Sequence, residues 1–178
     1  LQTAKGAMHG IIGPLTFNAA DRRLSKMVAG LPPATDLIEG MFTATVDASW
    51  SSSFRDRINV MNAVSGTVHV VAEKLSGHYN DYVLKGLSTT MVLYTQGLES
   101  LVMTQPSAIS VAAIQSSVDV ANLAASYQIR WKLSDDLPIV DVRDFQCEVF
   151  GGTLSNPGPV VDLAKPPVTT TFFLRNLD

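Results

Sequence analysis

Two-residue alternation is the feature that most constrains this chain. Tyr127, Ile129, Trp131 and Leu133 fall on one face of an extended segment, and Gln128, Arg130 and Lys132 fall on the other. Successive side chains of a strand point to opposite faces, so the pattern predicts a half-buried β-strand. Further β-forming runs lie between turn signals. Residues 41–48 form one, and residues 67–72, continuing toward Leu75, form another. Residues 88–95 are stopped by Gln96-Gly97, and residues 100–104 by Gln105-Pro106. Strands are also expected over residues 107–114 and 139–150, the second ended by Gly151-Gly152. Ser76-Gly77 is expected to open a long loop through Tyr79, Asn80 and Tyr82, and residues 135–138 to form a turn.

Helical spacing is convincing once. Phe54, Ile58, Met61 and Val64 recur at that spacing, Arg55, Asp56, Arg57 and Asn59 fall largely opposite, and Ser65-Gly66 follows. A short helix is therefore expected near residues 51–63. Residues 1–38 are interrupted by Gly6, Gly10, Gly13, Pro14, Gly30, Pro32 and Pro33. They read as an N-terminal arm, with a short strand over 11–17 and a short helix over 21–28 capped at Asn18 or Asp21. Residues 153–178 read as a Pro-rich, extended C-terminal arm. The expected fold class is all-β: a jelly-roll β-sandwich of two antiparallel sheets over residues 39–152, with extended arms at both ends. An immunoglobulin domain is nearer 100 residues and often carries a Cys pair around a Trp, whereas this chain has one cysteine.

Charged residues make up 16% of the 178, against about 25% in an ordinary domain. A surface this short of charge is expected to be covered by another protein rather than by water. The apolar share of 46% excludes intrinsic disorder, and a net charge of −3 excludes a strongly basic nucleic-acid binder. The lone Cys147 excludes an internal disulfide. No run of 18 apolar residues occurs, and no membrane contact is expected. The chain opens on Leu1, so it is expected to be cut from something longer.

Residues that carry chemistry are sparse. His9, His69 and His78 have no partner at metal-ligand spacing. His69 reads as structural and His78 as a surface-loop residue. Cys147 shares a strand face with Phe145 and Val149, which predicts a small buried apolar residue rather than a reactive thiol. Asp135 and Asp136 read as a solvated turn, while Asp141 and Asp144, three apart in a strand, are expected on opposite faces. No nucleophile elbow, phosphate loop or dinucleotide fingerprint occurs. No catalytic residue, metal or cofactor is expected, and the chain reads as a non-enzyme. Arg22, Arg23 and Lys26 form the one basic cluster able to touch phosphate.

Several segments together resemble picornavirus-like capsid proteins. The helix over 51–63 followed by Ser65-Gly66-Thr67-Val68-His69-Val70 looks like the helix-to-strand join of that family. Residues 90–97, 101–107 and 127–150 resemble its later strands in order. The spacing is closest to the small capsid proteins of plant picorna-like viruses, of comovirus and cheravirus type. The resemblance implies a polyprotein product that forms a non-enveloped icosahedral shell around single-stranded RNA. It also implies two related jelly-roll subunits as partners, self-contacts around a symmetry axis, assembly in the host-cell cytoplasm and a virion location. In that setting Arg22, Arg23 and Lys26 would make a weak contact with genomic RNA. The alternatives are a β-sandwich carbohydrate-binding module and another phage or bacterial assembly protein.

Overall fold

The computed structural model describes residues 3–31, 34–53, 63–97, 99–156, 160–162 and 171–176. β1 (Thr3–Phe17) leads through a one-turn helix, α1 (Leu24–Met27), into β2 (Thr35–Ser53). β3 (Val64–Tyr79), β4 (Tyr82–Gln96), β5 (Ser100–Val102) and β6 (Ser107–Gln115) follow. Then come β7 (Val120–Lys132), β8 (Ile139–Val149), β9 (Gly152–Asn156), β10 (Val160–Asp162) and β11 (Phe173–Arg175). All belong to one 11-stranded sheet in the order β1-β2-β3-β4-β5-β7-β8-β9-β11. β6 also bridges β4 and β7, and β10 lies beside β8.

The all-β class, antiparallel with one short helix, is as expected. The strands expected in two sheets are hydrogen-bonded into one. The reason is connectivity: each strand from β1 to β4 pairs with its neighbour in the chain, whereas a jelly roll needs strands that return across the fold. The substantial contacts among the described residues join hydrogen-bonded neighbours, with α1 resting on β2 as the one addition.

Strand length sets the scale. β1 to β4 hold 15, 19, 16 and 15 residues, far beyond the usual five or six. At about 3.3 Å per residue, β2 extends roughly 60 Å. Bulges bend strands this long and locally increase their twist. The β2–β3 register shifts on both sides of Glu39, where Gly40 has φ +108° and Lys74 opposite has φ +51°. A Cβ at Gly40 would lie 2.6 Å from the Lys74 carbonyl oxygen and 2.7 Å from that of Glu73. Only glycine allows both the dihedral and the approach.

Several local expectations change. Residues 51–53 belong to β2 and β3 opens at Val64, so the helix near 51–63 is not supported at either end; residues 54–62 lie outside the described residues. The observed helix is α1, inside the span 21–28 read as helical. Asn18 does not cap it, since the N-cap is Arg23. Instead Asn18 Oδ1 accepts from the backbone N–H groups of Ala20, Asp21 and Arg22. Strand pairing runs the whole length of residues 3–17 rather than 11–17 alone. The long loop after Ser76-Gly77 is a two-residue turn, because Tyr79 pairs with Tyr82 and Asn80 takes φ +51°, a conformation Asn tolerates.

Buried apolar side chains among the described residues number nine, three of them alanine. The main cluster is Phe17, Ala72 and Leu75, with Leu15, Leu24, Leu37, Phe42 and Leu87 packed against it. Gly40→Ala is expected to destabilise the protein by about 2 kcal/mol or more, from forced positive φ and backbone clash. Urea unfolding monitored by circular dichroism checks this, with Gly10→Ala, which meets nothing within 4 Å, as the mild control.

Candidate functional site

Strand register assigns each side chain a face. One row crosses the sheet as Gly10, Val46, Val68 and Leu93, and another as Ile12, Ala44, Val70 and Met91. The row between them is Ile11, Thr45, His69 and Val92. Next to it runs His9, Asp47, Thr67 and Tyr94. The apolar face continues through Leu101–Trp131, Ile109–Ala125 and Val111–Leu123, then through Ile129–Val140 and Tyr127–Val142. The opposite face there carries Arg130, Gln128 with Asp141, and Ser126 with Arg143. None of these apolar rows contains Asp, Glu, Lys or Arg.

Exposure follows the same division. Ala44, Ala72, Val111, Ala125 and Cys147 on the apolar face are buried, while His9, Asp47, His69 and Glu73 on the other are exposed. Gly6 is also on the apolar face, where the Trp50 ring of the paired strand lies across it, an aromatic covering a strand glycine. With strands near 45 Å and about seven strand spacings, the face measures on the order of 1,500 Å². Much of this face is buried or half-buried in the described fold.

One end of this face is occupied. Leu24 of α1 packs on the Phe17–Ala72–Leu75 cluster. The next residue, Ser25, donates to the buried Asp36 from its backbone N–H at 2.9 Å and its hydroxyl at 2.7 Å. Desolvation pushes the Asp36 carboxyl up. The two Ser25 hydrogen bonds, with the charges of Arg23 and His78, outweigh it and hold the group below the usual aspartate range.

The polar face holds a concavity of about 1040 Å³. His9 Nδ1 and Asp47 Oδ1 lie 2.6 Å apart within it. Ser49 and Ser65 hydroxyls pair at 3.1 Å beside them, and Tyr94 closes one side. His9 and Asp47 are both more than half exposed, so their hydrogen bond contributes about 1 kcal/mol at most. Their 38-residue separation hid the pair from sequence reasoning; opposite positions on neighbouring strands are what join them. Farther along, Arg143 donates to Asp141 at 2.8 Å, and that hydrogen bond holds the Asp141 carboxyl below its usual range.

The other singled-out residues fall as follows. Arg23 Nε donates to the Ala19 carbonyl at 2.6 Å and Lys26 Nζ to the Ala20 carbonyl at 2.9 Å. Arg22 is exposed. Two of the three basic groups thus bind their own loop. His69 is exposed on the polar face. Cys147 is buried on the face of Phe145 and Val149, and burial pushes its thiol up. Asp144 departs from expectation: it has φ +52° at the point where the β7–β8 register slips. This bulge turns its carboxylate to the side of Asp141, where the Ser126 hydroxyl reaches it at 3.3 Å. Among the described residues no cluster of three or more His, Cys, Asp or Glu could hold a metal.

Fold and surface together define an amphipathic antiparallel β-sheet with one apolar and one polar face. A family model described as YdbH-like, intermembrane phospholipid transport protein YdbH, matches residues 2–178. The chain belongs to the YdbH-like family. Neither curated proteins nor solved structures give a match. The family match overturns the plant-virus resemblance and all that it implied: the capsid role, virion location, sister capsid partners and genomic RNA; it also overturns the expected absence of membrane contact, which came from the lack of an 18-residue apolar run. The weak segment matches that carried the resemblance are those any antiparallel sheet with regular turns would give. Of the readings weighed from sequence, a bacterial assembly protein lies nearer.

Asp36 yields a pH prediction. Its folded pKa is depressed, so its stabilisation is fully present above the ordinary value near 3.8 and is lost as pH falls through the lower folded value. The stability gap between the protein and Asp36→Asn is therefore expected to stay constant from neutral pH to about 5 and to narrow below about 3.8. Urea midpoints across that range measure it.

Proposed function

We propose that this chain forms part of a surface along which phospholipids move between membranes, with acyl chains lying on the apolar face. The observation that carries this reading is the broad face whose strand rows are apolar and free of charge. Acyl chains need no directional partners, and each buried CH₂ contributes about 0.8 kcal/mol. A continuous row of Val, Ile, Leu and Ala offers similar contact at every step. A surface without deep minima suits transit better than retention. The polar face, with its Ser, Thr and charged side chains, would then meet water. No bond is made or broken in such a role, so no catalytic residue is needed.

The reading predicts that the protein purified from lipid-containing extracts carries phospholipid detectable by mass spectrometry. Val70→Asp, which places a charge in the apolar row, is expected to cut bound phospholipid at least fivefold. His69→Asp, one position away on the polar face, is expected to leave it within twofold. Equal loss in both variants, or no lipid on the unsubstituted protein, contradicts the proposal.

A further inference from the structure

We infer that the segment 18–31, carrying α1, is a strap that closes one end of the apolar face and must lift before an acyl chain can occupy that end. The inference rests on the proposed lipid-facing role. Leu24 occupies the Phe17–Ala72–Leu75 cluster at the end of β1, β2 and β3. This is the same uncharged surface, two to four strands wide, that an acyl chain would cover. Leu24 and an acyl chain therefore compete for one set of contacts.

The strap is held lightly. A single helical turn has no stability of its own, and no residue of α1 is buried. Its described attachments to the sheet are Leu24 and the two hydrogen bonds from Ser25 to Asp36. Internally it is better tied. Asn18 gathers three backbone N–H groups, Arg23 binds the Ala19 carbonyl, and Lys26 binds the Ala20 carbonyl. Gly30, at φ +80° with nothing near its Cβ position, lies at the far side. A segment bound to itself and attached by two adjacent residues moves as one piece. The basic cluster thus acquires a role in shaping the strap.

β2 provides a matched pair of reporters. Phe42 and Trp50 lie on the same apolar face, eight residues or about 26 Å apart. Phe42 packs in the cluster beside Leu24, and Trp50 is 36% exposed at the open end. A photoreactive benzoylphenylalanine replaces each in turn, preserving an aromatic side chain. The proteins are irradiated with vesicles of phosphatidylethanolamine and phosphatidylglycerol. The strap predicts lipid adducts at position 50 and at least tenfold fewer at position 42. Combining the position-42 probe with Leu24→Ala and Ser25→Ala, both outside the sheet, is expected to raise its labelling to within threefold of position 50. Equal labelling of the two positions without those substitutions overturns the strap while leaving the lipid surface intact. So does a position 42 that stays dark in the double variant while position 50 labels. Labelling at neither position overturns the lipid surface and the strap with it.

Discussion

A single β-layer cannot bury its own apolar face. Ordinary domains solve this by packing a second layer against the first. Here four strands of 15 to 19 residues build a face too large to be incidental, and the described contacts stay between strand neighbours. One side of the sheet keeps rows free of charge, and the opposite side carries the polar residues. Phospholipid fits such a face because its chains are apolar along their whole length.

Much of the fold was legible as local pattern. The alternation in β7 and the runs over residues 41–48, 67–72, 88–95 and 107–114 all became strands. Alternation, however, fixes which face a side chain takes and not which strand lies beside it. The same local sequence serves one hydrogen-bonded sheet or two, and only the pairing in the structure shows that there is one. In β1 the glycines hid the pattern: Gly6 and Gly10 sit in apolar rows whose bulk comes from neighbouring strands, as when Trp50 covers Gly6. In β8 the positive φ at Asp144 shifts the alternation by one residue, which no period-two reading can anticipate.

The site was legible in a different sense. The scarcity of charge, 16% of residues, agrees with the proposed lipid-facing surface. It did not say what would cover that surface, because protein neighbours and acyl chains make the same demand on composition. The family match settles kinship where composition could not. The His9–Asp47 pair and the Ser25–Asp36 anchor were invisible for a simpler reason: strand register makes the first, and the fold-back of α1 onto β2 makes the second.

The central claim is that one face of the sheet, and only one, meets phospholipid. A photoreactive residue placed in turn at each position from 66 to 72 on β3, irradiated with phospholipid vesicles, tests it most directly. The account predicts lipid adducts at Gly66, Val68 and Val70, few at Ala72 beneath Leu24, and their near absence at Thr67, His69 and Val71. Uniform labelling, or labelling of the odd positions, would contradict it.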